Sequence, residues 1–318
     1  MHLGIFAKTF PRPTLEETLD AVVAHGLTHI QFNMSCAGLP TLPERIDEEL
    51  CRLIARALRE RGLTMAAISG TFNMCDPDTS RLQDNVHRLD VLAAACRWLD
   101  TRIITLCTGT LDPHDMWRWH LENVRKSTWE RMVQSMKEAV KIADRHEVTL
   151  AFEPEIKNVV SSAMRARRLL DEIDSSWLTV VIDPANLLLS GDSSRWQEIL
   201  DEAFDWLGPD IVLAHAKTPP ILEKAPEMGP GELESLILST CRAHPDVEEV
   251  LRAKLATEEG ARKLRHVFRL QPFYEFYLAC LTKIGFRGAL IMHGLEEREV
   301  VEATLFLGTI LKDVSELD

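Results

Sequence analysis

Eight short apolar segments, each followed by a stretch of helical periodicity, constrain the fold of this chain more than any other feature. Segments that are apolar on both faces are typical of parallel strands covered by helices. Strict alternation of strand and helix predicts a parallel sheet, and eight such units predict that the sheet closes into a (β/α)8 barrel. The predicted strands are residues 3–7, 28–32, 63–69, 102–107, 149–152, 178–182, 211–214 and 289–292.

We therefore predict an α/β fold, with a single TIM barrel spanning residues 1–318. A doubly wound open sheet is the alternative, but it rarely reaches eight units, and no GxGxxG or P-loop motif follows a strand here. Residues 219–271 are too long for an ordinary connection and contain two helix-like segments, 232–241 and 247–255. We interpret them as a helical insertion after strand 7. The sequence leaves open whether the insertion is a lid, a contact between copies of the chain or a peripheral addition.

Two sequence motifs predict where the first two helices begin. Thr14 with Glu17 forms a capping box, and Thr41 with Glu44, separated by Pro43, has the same spacing. Gly26 and Gly62 are expected to end these helices.

Composition excludes several classes of protein. The chain has 318 residues and a formal net charge of -13, which repels phosphate backbones and argues against a nucleic-acid partner. The first apolar run reads as a strand rather than a targeting leader, and no run is long enough to span a bilayer. The seven cysteines are scattered without a CxxC pair, as expected for free thiols in a reducing compartment. We therefore expect a cytoplasmic protein without a membrane partner.

Four residues with metal-ligand chemistry follow the last four predicted strands: Glu153, Asp183, His215 and His293. In a barrel the carboxyl ends of the strands meet at one mouth, so these residues are expected to share a site. Two carboxylates and two imidazoles form a mixed oxygen and nitrogen ligand set that suits a divalent metal ion. Each residue alone has a simpler interpretation: a core histidine, a turn opener, an ion-pair partner or a helix-start residue. Their joint placement favours the metal site.

The sequence around these residues resembles the xylose-isomerase-like TIM barrels. This superfamily includes the sugar phosphate isomerases/epimerases, the sugar epimerases and endonuclease IV. The resemblance extends over nearly the whole chain apart from the insertion. It rests on the segments FEPE (152–155), VIDPAN (181–186), AHAK (214–217) and GFRGALIMH (285–293).

The resemblance implies one divalent ion held by Glu, Asp, His and Glu at the ends of strands 5 to 8. Glu153, Asp183 and His215 match the first three positions, whereas His293 stands where the family usually has a glutamate. Manganese is the ion that the resemblance favours, with zinc, cobalt and magnesium as alternatives. In the family's epimerases the two metal-bound glutamates also move the substrate's proton. His293 is therefore expected either to take over one of these roles or to mark a one-base isomerisation through an enediol.

Further residues near the predicted mouth are candidates for contact with the substrate. Lys217 is predicted to stabilise an enediolate or to bind an acidic group, with a solvated surface lysine as the alternative. The predicted substrate-binding residues are Asn186, Glu155, Trp117, Trp119 and Thr108, and Gln31, Asn33 and Asn73 at strand ends are candidates to bind hydroxyl groups. Loop packing is the alternative interpretation for the two tryptophans, and an exposed loop acid is the alternative for Glu155.

We predict a metal-dependent isomerase or epimerase that acts on a sugar or sugar phosphate through an enediolate. Glu153, His293 and Lys217 are the predicted catalytic residues. The alternatives are a metal-dependent sugar-acid dehydratase or lyase and a non-catalytic sugar-binding barrel. A nuclease of the endonuclease IV type would need a basic groove that the composition does not indicate. The expected partner is a small carbohydrate. The sequence leaves open whether the chain forms a homo-oligomer, and the insertion is the expected contact between subunits.

Overall fold

Eight parallel strands close into a barrel in which each strand pairs with its neighbours in the sequence. The structure, a computed structural model, describes residues 1–188, 194–219, 222, 229–243 and 247–315. Strand β1 pairs with β8 as well as with β2, for example through Gly4 and Ile291, which completes the ring. The strands are β1 (His2–Phe6), β2 (His29–Phe32), β3 (Thr64–Ser69), β4 (Ile103–Cys107), β5 (Thr149–Glu153), β6 (Leu178–Ile182), β7 (Ile211–Ala216) and β8 (Ala289–Met292). The predicted TIM barrel is thus confirmed.

Helices surround the barrel and cover its outer face. They are α1 (Leu15–Ala24), α2 (Glu48–Glu60), α3 (Thr79–Leu99), α4 (Lys126–His146), α5 (Ala163–Ile173), α6 (Pro184–Leu187), α7 (Trp196–Leu207), α8 (Pro230–Ala243), α9 (Glu248–Leu255), α10 (Glu258–Phe268), α11 (Gln271–Lys283) and α12 (Val300–Ser315). None of the helices in the described ranges combines the length and apolar character needed to cross a membrane.

Alternation along the strands separates the two hydrophobic layers and positions the site. On β5, Leu150 and Phe152 are fully buried in the layer between strands and helices, whereas Ala151 packs inside the barrel with Val181 and Ile291. Successive side chains of a strand point to opposite faces, so Glu153 points inward at the end of β5. The same alternation places Asp183, two residues after Val181, on the inner face.

One of the two predicted helix starts is confirmed and the other is wrong. Helix α1 begins after Thr14, whose side chain accepts a hydrogen bond from the Glu17 N–H in a complete capping box. Helix α2 instead begins at Glu48, after Asp47. The Thr41 hydroxyl donates to Asn33 Oδ1 at 3.2 Å, so it serves the loop that follows β2 rather than a helix terminus.

The described part of the predicted insertion contains three helices, α8 to α10, between β7 and α11. The two predicted helical segments are confirmed, although residues 220, 221, 223–228 and 244–246 of the insertion lie outside the described residues. Lys254 of α9 forms an ion pair with the buried Glu302 of α12 at 2.7 Å. Phe268 of α10 packs edge-on against Phe306 of α12, with ring centroids 5.4 Å apart. The described part of the insertion is therefore anchored on the outer helix that follows β8.

Candidate metal centre

Glu153, Asp183 and His215 converge at the carboxyl ends of β5, β6 and β7. One ligand atom from each lies within 4.8 Å of the others. His215 Nδ1 is 3.5 Å from Asp183 Oδ2 and 3.6 Å from Glu153 Oε2. The Asp183 and His215 side chains are buried, and that of Glu153 is only 18% exposed. Side chains from three separate strands therefore meet at a point small enough for one ion.

Gln31 fixes which nitrogen of His215 faces the two carboxylates. The Gln31 amide nitrogen donates to Ser69 Oγ at 3.1 Å and to Thr105 Oγ1 at 3.2 Å. Its oxygen faces His215 Nε2, 2.8 Å away, and in this arrangement Nε2 carries the proton that it donates. A neutral His215 then has its lone pair on Nδ1, facing Glu153 and Asp183. Metal-binding histidines are commonly oriented by such a hydrogen bond from the other ring nitrogen.

Two buried polar atoms in the centre have no hydrogen-bond partner among the residues that the structure describes: Asp183 Oδ2 and His215 Nδ1. The other Asp183 oxygen, Oδ1, accepts a hydrogen bond from the Ala185 N–H at 2.9 Å and caps α6. Leaving buried polar atoms without a partner costs free energy, and a native structure rarely does so without a reason. The donor set and the unpartnered atoms both fit a divalent ion held by Glu153, Asp183 and His215.

Burial and mutual interaction shift the pKa values of the three residues. Burial, with the Asp183 charge adding to it, raises the pKa of Glu153 to about 7. Burial also raises the pKa of Asp183, but His215, Lys217 and His293 together lower it by more, so the net pKa lies below the ordinary value. Conversely, burial lowers the pKa of His215, and Asp183 and Glu153 raise it by more, above its ordinary value. Without a metal ion, the centre therefore holds protons near neutral pH.

Metal affinity is expected to increase as the pH rises from 6 to 8. The pKa values of His215 and Glu153 are raised, so the metal-free protein binds protons there that the ion must displace. The Kd should fall by roughly tenfold per pH unit for each displaced proton below these pKa values, and level off above them. Zinc titrations against a competing chelator at pH 6, 7 and 8 measure this change. A Kd that stays constant over this range would contradict the proton competition.

Lys217 and Asn186 form a chain of hydrogen bonds that ends on Glu153. Lys217 Nζ donates to Asn186 Oδ1 at 2.9 Å, and the Asn186 amide nitrogen donates to Glu153 Oε1 in a short hydrogen bond. Lys217 Nζ also lies 4.0 Å from Asp183 Oδ2. The chain holds one oxygen of Glu153, while Oε2 faces His215. Asn186 and Lys217 thus lie beside the centre, and their contact with a substrate stays a prediction.

The side chain of Lys217 lies across Gly294. A Cβ at residue 294 would sit 3.4 Å from Lys217 Cγ, and the φ of Gly294 is +72°, a conformation that other residues rarely adopt. Gly294 therefore lets the chain turn after β8 where the lysine stem passes close to the backbone.

His293 lies against the centre in a stack of three rings. Its ring is parallel to that of His215 within 2° at a centroid distance of 5.1 Å, and Phe6 stacks on it at 5.3 Å. His293 Nδ1 is buried and has no hydrogen-bond partner within the described part of the chain. The described residues whose ligand atoms lie within 4.8 Å of one another are Glu153, Asp183 and His215, and His293 is not among them. Metal ligation by His293 stays a prediction.

The electrostatic surroundings keep His293 neutral. Burial, together with the positive charge on His215, lowers the pKa of His293 to about 3. A neutral imidazole has one nitrogen that donates and one that accepts, so it can hydrogen-bond to a hydroxyl or a carbonyl.

Two predicted substrate-binding residues hold the loop after β5. Thr108 is fully buried, and its hydroxyl accepts a hydrogen bond from the Val160 N–H at 3.0 Å. Glu155 Oε2 accepts hydrogen bonds from the Lys157 N–H and the Asn158 side chain, each at 2.9 Å. Both residues therefore shape the edge of the site. Contact with a substrate remains a prediction for them.

The two tryptophans of the loop after β4 are exposed. Trp117 is 46% and Trp119 is 52% exposed. This loop contacts the one after β5, because the Asn158 side chain donates to the Met116 carbonyl oxygen at 3.4 Å. The tryptophans are thus presented on a neighbouring loop, and their stacking on a sugar stays a prediction.

Replacing Gln31 with Leu is expected to weaken metal binding by about 10–100-fold, the usual cost of losing the hydrogen-bond partner of a metal ligand. Leu cannot accept the His215 Nε2 proton, so Nδ1 is no longer fixed toward the carboxylates. Gln31→Glu is the matched control, since it keeps an oxygen opposite Nε2. Zinc Kd values for the two variants measure the effect, and equal losses in both would count against the orienting role.

Sequence reasoning missed three residues that shape the site. The Tyr277 hydroxyl of α11 donates to the carbonyl oxygens of Ile182 (3.3 Å) and His215 (3.2 Å), and so ties β6 to β7 beside the ligands. Phe6 contributes to the ring stack, and Lys8 Nζ lies 5.8 Å from the centre of the Phe6 ring. Alternation along β1 predicts that Phe6, its last residue, faces the inside of the barrel. The role of Tyr277 has no local signal in the sequence.

Comparison with known proteins identifies related folds. A family model described as "Xylose isomerase-like TIM barrel" matches residues 19–231. A structure of L-ribulose 3-epimerase superposes with a TM-score of 0.66 at 14% identity, covering 99% of this chain and 96% of that chain. D-Psicose 3-epimerase with D-tagatose, from Clostridium cellulolyticum H10, gives a TM-score of 0.63 at 14% identity, covering 99% of both chains. No curated protein sequence matches.

A third similar structure is described as the IOLI protein with a bound zinc atom. It has a TM-score of 0.62 and 15% identity, covering 100% of this chain and 99% of that chain. Identities this low establish similarity of fold.

Proposed function

The chain belongs to the xylose isomerase-like TIM-barrel family, and on this premise we propose that it is a divalent-metal-dependent isomerase or epimerase acting on a sugar or sugar phosphate. The proposed reaction passes through an enediolate. The observation that carries the proposal is the convergence of Glu153, Asp183 and His215 with two buried, unpartnered ligand atoms.

Glu153, Asp183 and His215 are the proposed ligands of one divalent ion, and His293 is the neighbour that the family resemblance makes a fourth candidate. Manganese is the favoured ion, with zinc, cobalt and magnesium as alternatives. A bound ion polarises the substrate's carbonyl and hydroxyl oxygens and stabilises the developing negative charge.

Glu153 is the proposed base that removes the proton from the carbon next to the carbonyl. A base with a pKa near the working pH is effective in proton transfer, and burial raises the pKa of Glu153 to about 7. Asn186 holds Glu153 Oε1 and so orients the carboxylate. Because the fourth ligand position has a histidine, the arrangement favours return of the proton by Glu153 or through His293.

The remaining residues bind and orient the substrate. Lys217 is proposed to donate a hydrogen bond to the negatively charged oxygen that develops as the proton leaves. Asn186 is proposed to contact the substrate from the same side. Trp117 and Trp119 are proposed to stack on the apolar face of the carbohydrate.

Deuterium uptake from D₂O into candidate ketoses and sugar phosphates tests the proposed function. We expect exchange at the carbon next to the carbonyl, its loss on treatment with a chelator, and its recovery with Mn²⁺. Loss of water from a sugar acid without deuterium exchange would identify the dehydratase alternative. Saturable binding with neither exchange nor product, with each metal, would identify a non-catalytic sugar-binding barrel.

A further inference from the structure

The neutral groups predicted to bind sugar hydroxyls are largely used within the protein. Asn33 Oδ1 accepts hydrogen bonds from the Ser35 N–H and the Thr41 hydroxyl, at 3.0 and 3.2 Å. The Asn73 side chain donates to the Thr110 carbonyl oxygen at 2.8 Å and accepts from the Thr110 N–H at 3.0 Å. Gln31 is engaged by His215. A neutral polyol would therefore meet few of the amides that its recognition was expected to require.

Cationic groups, by contrast, flank the metal centre. Lys217 Nζ lies 4.0 Å from Asp183 Oδ2, and its side chain is 29% exposed. An ammonium has three N–H donors, and the contacts found within the described ranges use one of them, to Asn186. Lys8 is exposed beyond the ring stack, with Nζ 5.8 Å from the centre of the Phe6 ring.

Two carboxylates supply the negative charge that faces the ligand nitrogen of His215. Glu153 and Asp183 are the two carboxylates facing His215. At the end of β8 the ring of His293, rather than a carboxylate, lies parallel to that of His215. A divalent ion together with Lys217 thus exceeds the charge of these two carboxylates, and an anionic substrate would balance the excess.

We propose that the substrate carries a carboxylate next to its reacting carbon and that Lys217 binds this group, which makes sugar acids and keto acids the substrate class. The inference rests on the proposed function of the same site. Lys217 is adjacent to a metal ligand, so the anion that it binds lies beside the reacting carbon. The terminal phosphate of a sugar phosphate lies several carbons away. Lys8, outside the ring stack, adds to the positive potential at the mouth.

Calorimetric titration of the metal-loaded protein with D-gluconate, D-glucitol and D-glucitol 6-phosphate tests the proposal. Gluconate and glucitol differ only in the carboxylate, so their affinity ratio measures its recognition. We expect gluconate to bind at least tenfold more tightly than glucitol. Lys217→Gln, which keeps a donor for Asn186, should lower this affinity ratio several-fold. The ratio that remains in the variant measures direct binding of the carboxylate to the metal. Lys217→Arg should retain most of the wild-type ratio.

Lys157→Gln is the matched control, because Lys157 is an exposed lysine on the neighbouring loop. This variant should keep the wild-type ratio. Equal affinity for gluconate and glucitol, or an unchanged ratio in Lys217→Gln, would overturn the proposal. Tighter binding of glucitol 6-phosphate than of gluconate would also overturn it, in favour of a distal phosphate.

The same titrations separate this proposal from the proposed function. Deuterium exchange into neutral ketoses without a Lys217-dependent carboxylate preference would leave the isomerase standing and remove the substrate class. A Lys217-dependent preference without exchange into any ketose or keto acid would do the reverse.

Discussion

Replacing Asp183 with Asn is expected to weaken divalent metal binding by more than about 100-fold and to abolish turnover. This loss exceeds the one expected when a residue that hydrogen-bonds to a metal ligand is removed. Asp183 is fully buried, and its Oδ2 faces His215 Nδ1 at 3.5 Å without a hydrogen-bond partner. Asn has the same shape but supplies a neutral amide in place of a charged ligand oxygen. The ion would lose one of two ligand charges in a site with little access to water, where charge matters most.

The fold should survive this substitution. An Asn side chain can still accept the Ala185 N–H and cap α6, as Asp183 Oδ1 does at 2.9 Å. Zinc titration combined with the thermal unfolding midpoint of the metal-free protein separates lost affinity from lost structure. Asp171→Asn, at an exposed position of α5, is the control and should bind metal normally. Wild-type affinity in Asp183→Asn would refute the assignment of this ligand.

Replacing Glu153 with Gln is expected to reduce deuterium exchange by about 10²–10⁴-fold, the usual contribution of a general base. Gln cannot accept a proton at neutral pH, whereas burial raises the pKa of the Glu153 carboxyl to about 7. Its single oxygen can face the ion in place of Glu153 Oε2, but the side chain then no longer accepts from the Asn186 amide as Oε1 does. Metal binding should therefore weaken but persist, and the exchange rate should be compared at saturating metal.

Asn186→Asp is the informative companion variant, because it removes the N–H donor that holds Glu153 Oε1. It also places a second negative charge beside the carboxylate, which should raise the pKa of Glu153 further. The exchange rate of this variant should peak at a higher pH than that of the wild type. Full exchange activity in Glu153→Gln at saturating metal would show that another group is the base.

Much of the fold followed from local patterns. Each strand is a short run apolar on both faces, and each is followed by an amphipathic helix, so the barrel could be predicted without knowing any contact. Helix starts were predicted less accurately. The Thr14 side chain caps the Glu17 N–H at the start of α1, whereas the Thr41 hydroxyl donates to Asn33 and caps no helix. That contact joins residues from a strand end and a loop, which spacing along the chain does not reveal.

Some residues of the candidate site were likewise predicted from the sequence, and the roles of others were not. Glu153, Asp183 and His215 were predicted because strand ends of a barrel converge and because these residue types bind metals. The role of Gln31 was not predicted, since a strand-end amide serves a hydroxyl of the substrate or a histidine equally well. Its contacts with Ser69, Thr105 and His215 join residues that are far apart in the sequence. The parallel stacking of His293 on His215 likewise depends on side-chain torsions that the sequence does not encode locally.

Anomalous diffraction from crystals grown with Mn²⁺, measured on either side of the metal absorption edge, locates the bound ion and identifies its ligands. We expect one peak per chain, within about 2.0–2.3 Å of a Glu153 oxygen, Asp183 Oδ2 and His215 Nδ1, as divalent transition-metal ligand bonds require. A peak bound by other side chains, or none at these three residues in manganese-saturated crystals, would contradict this assignment.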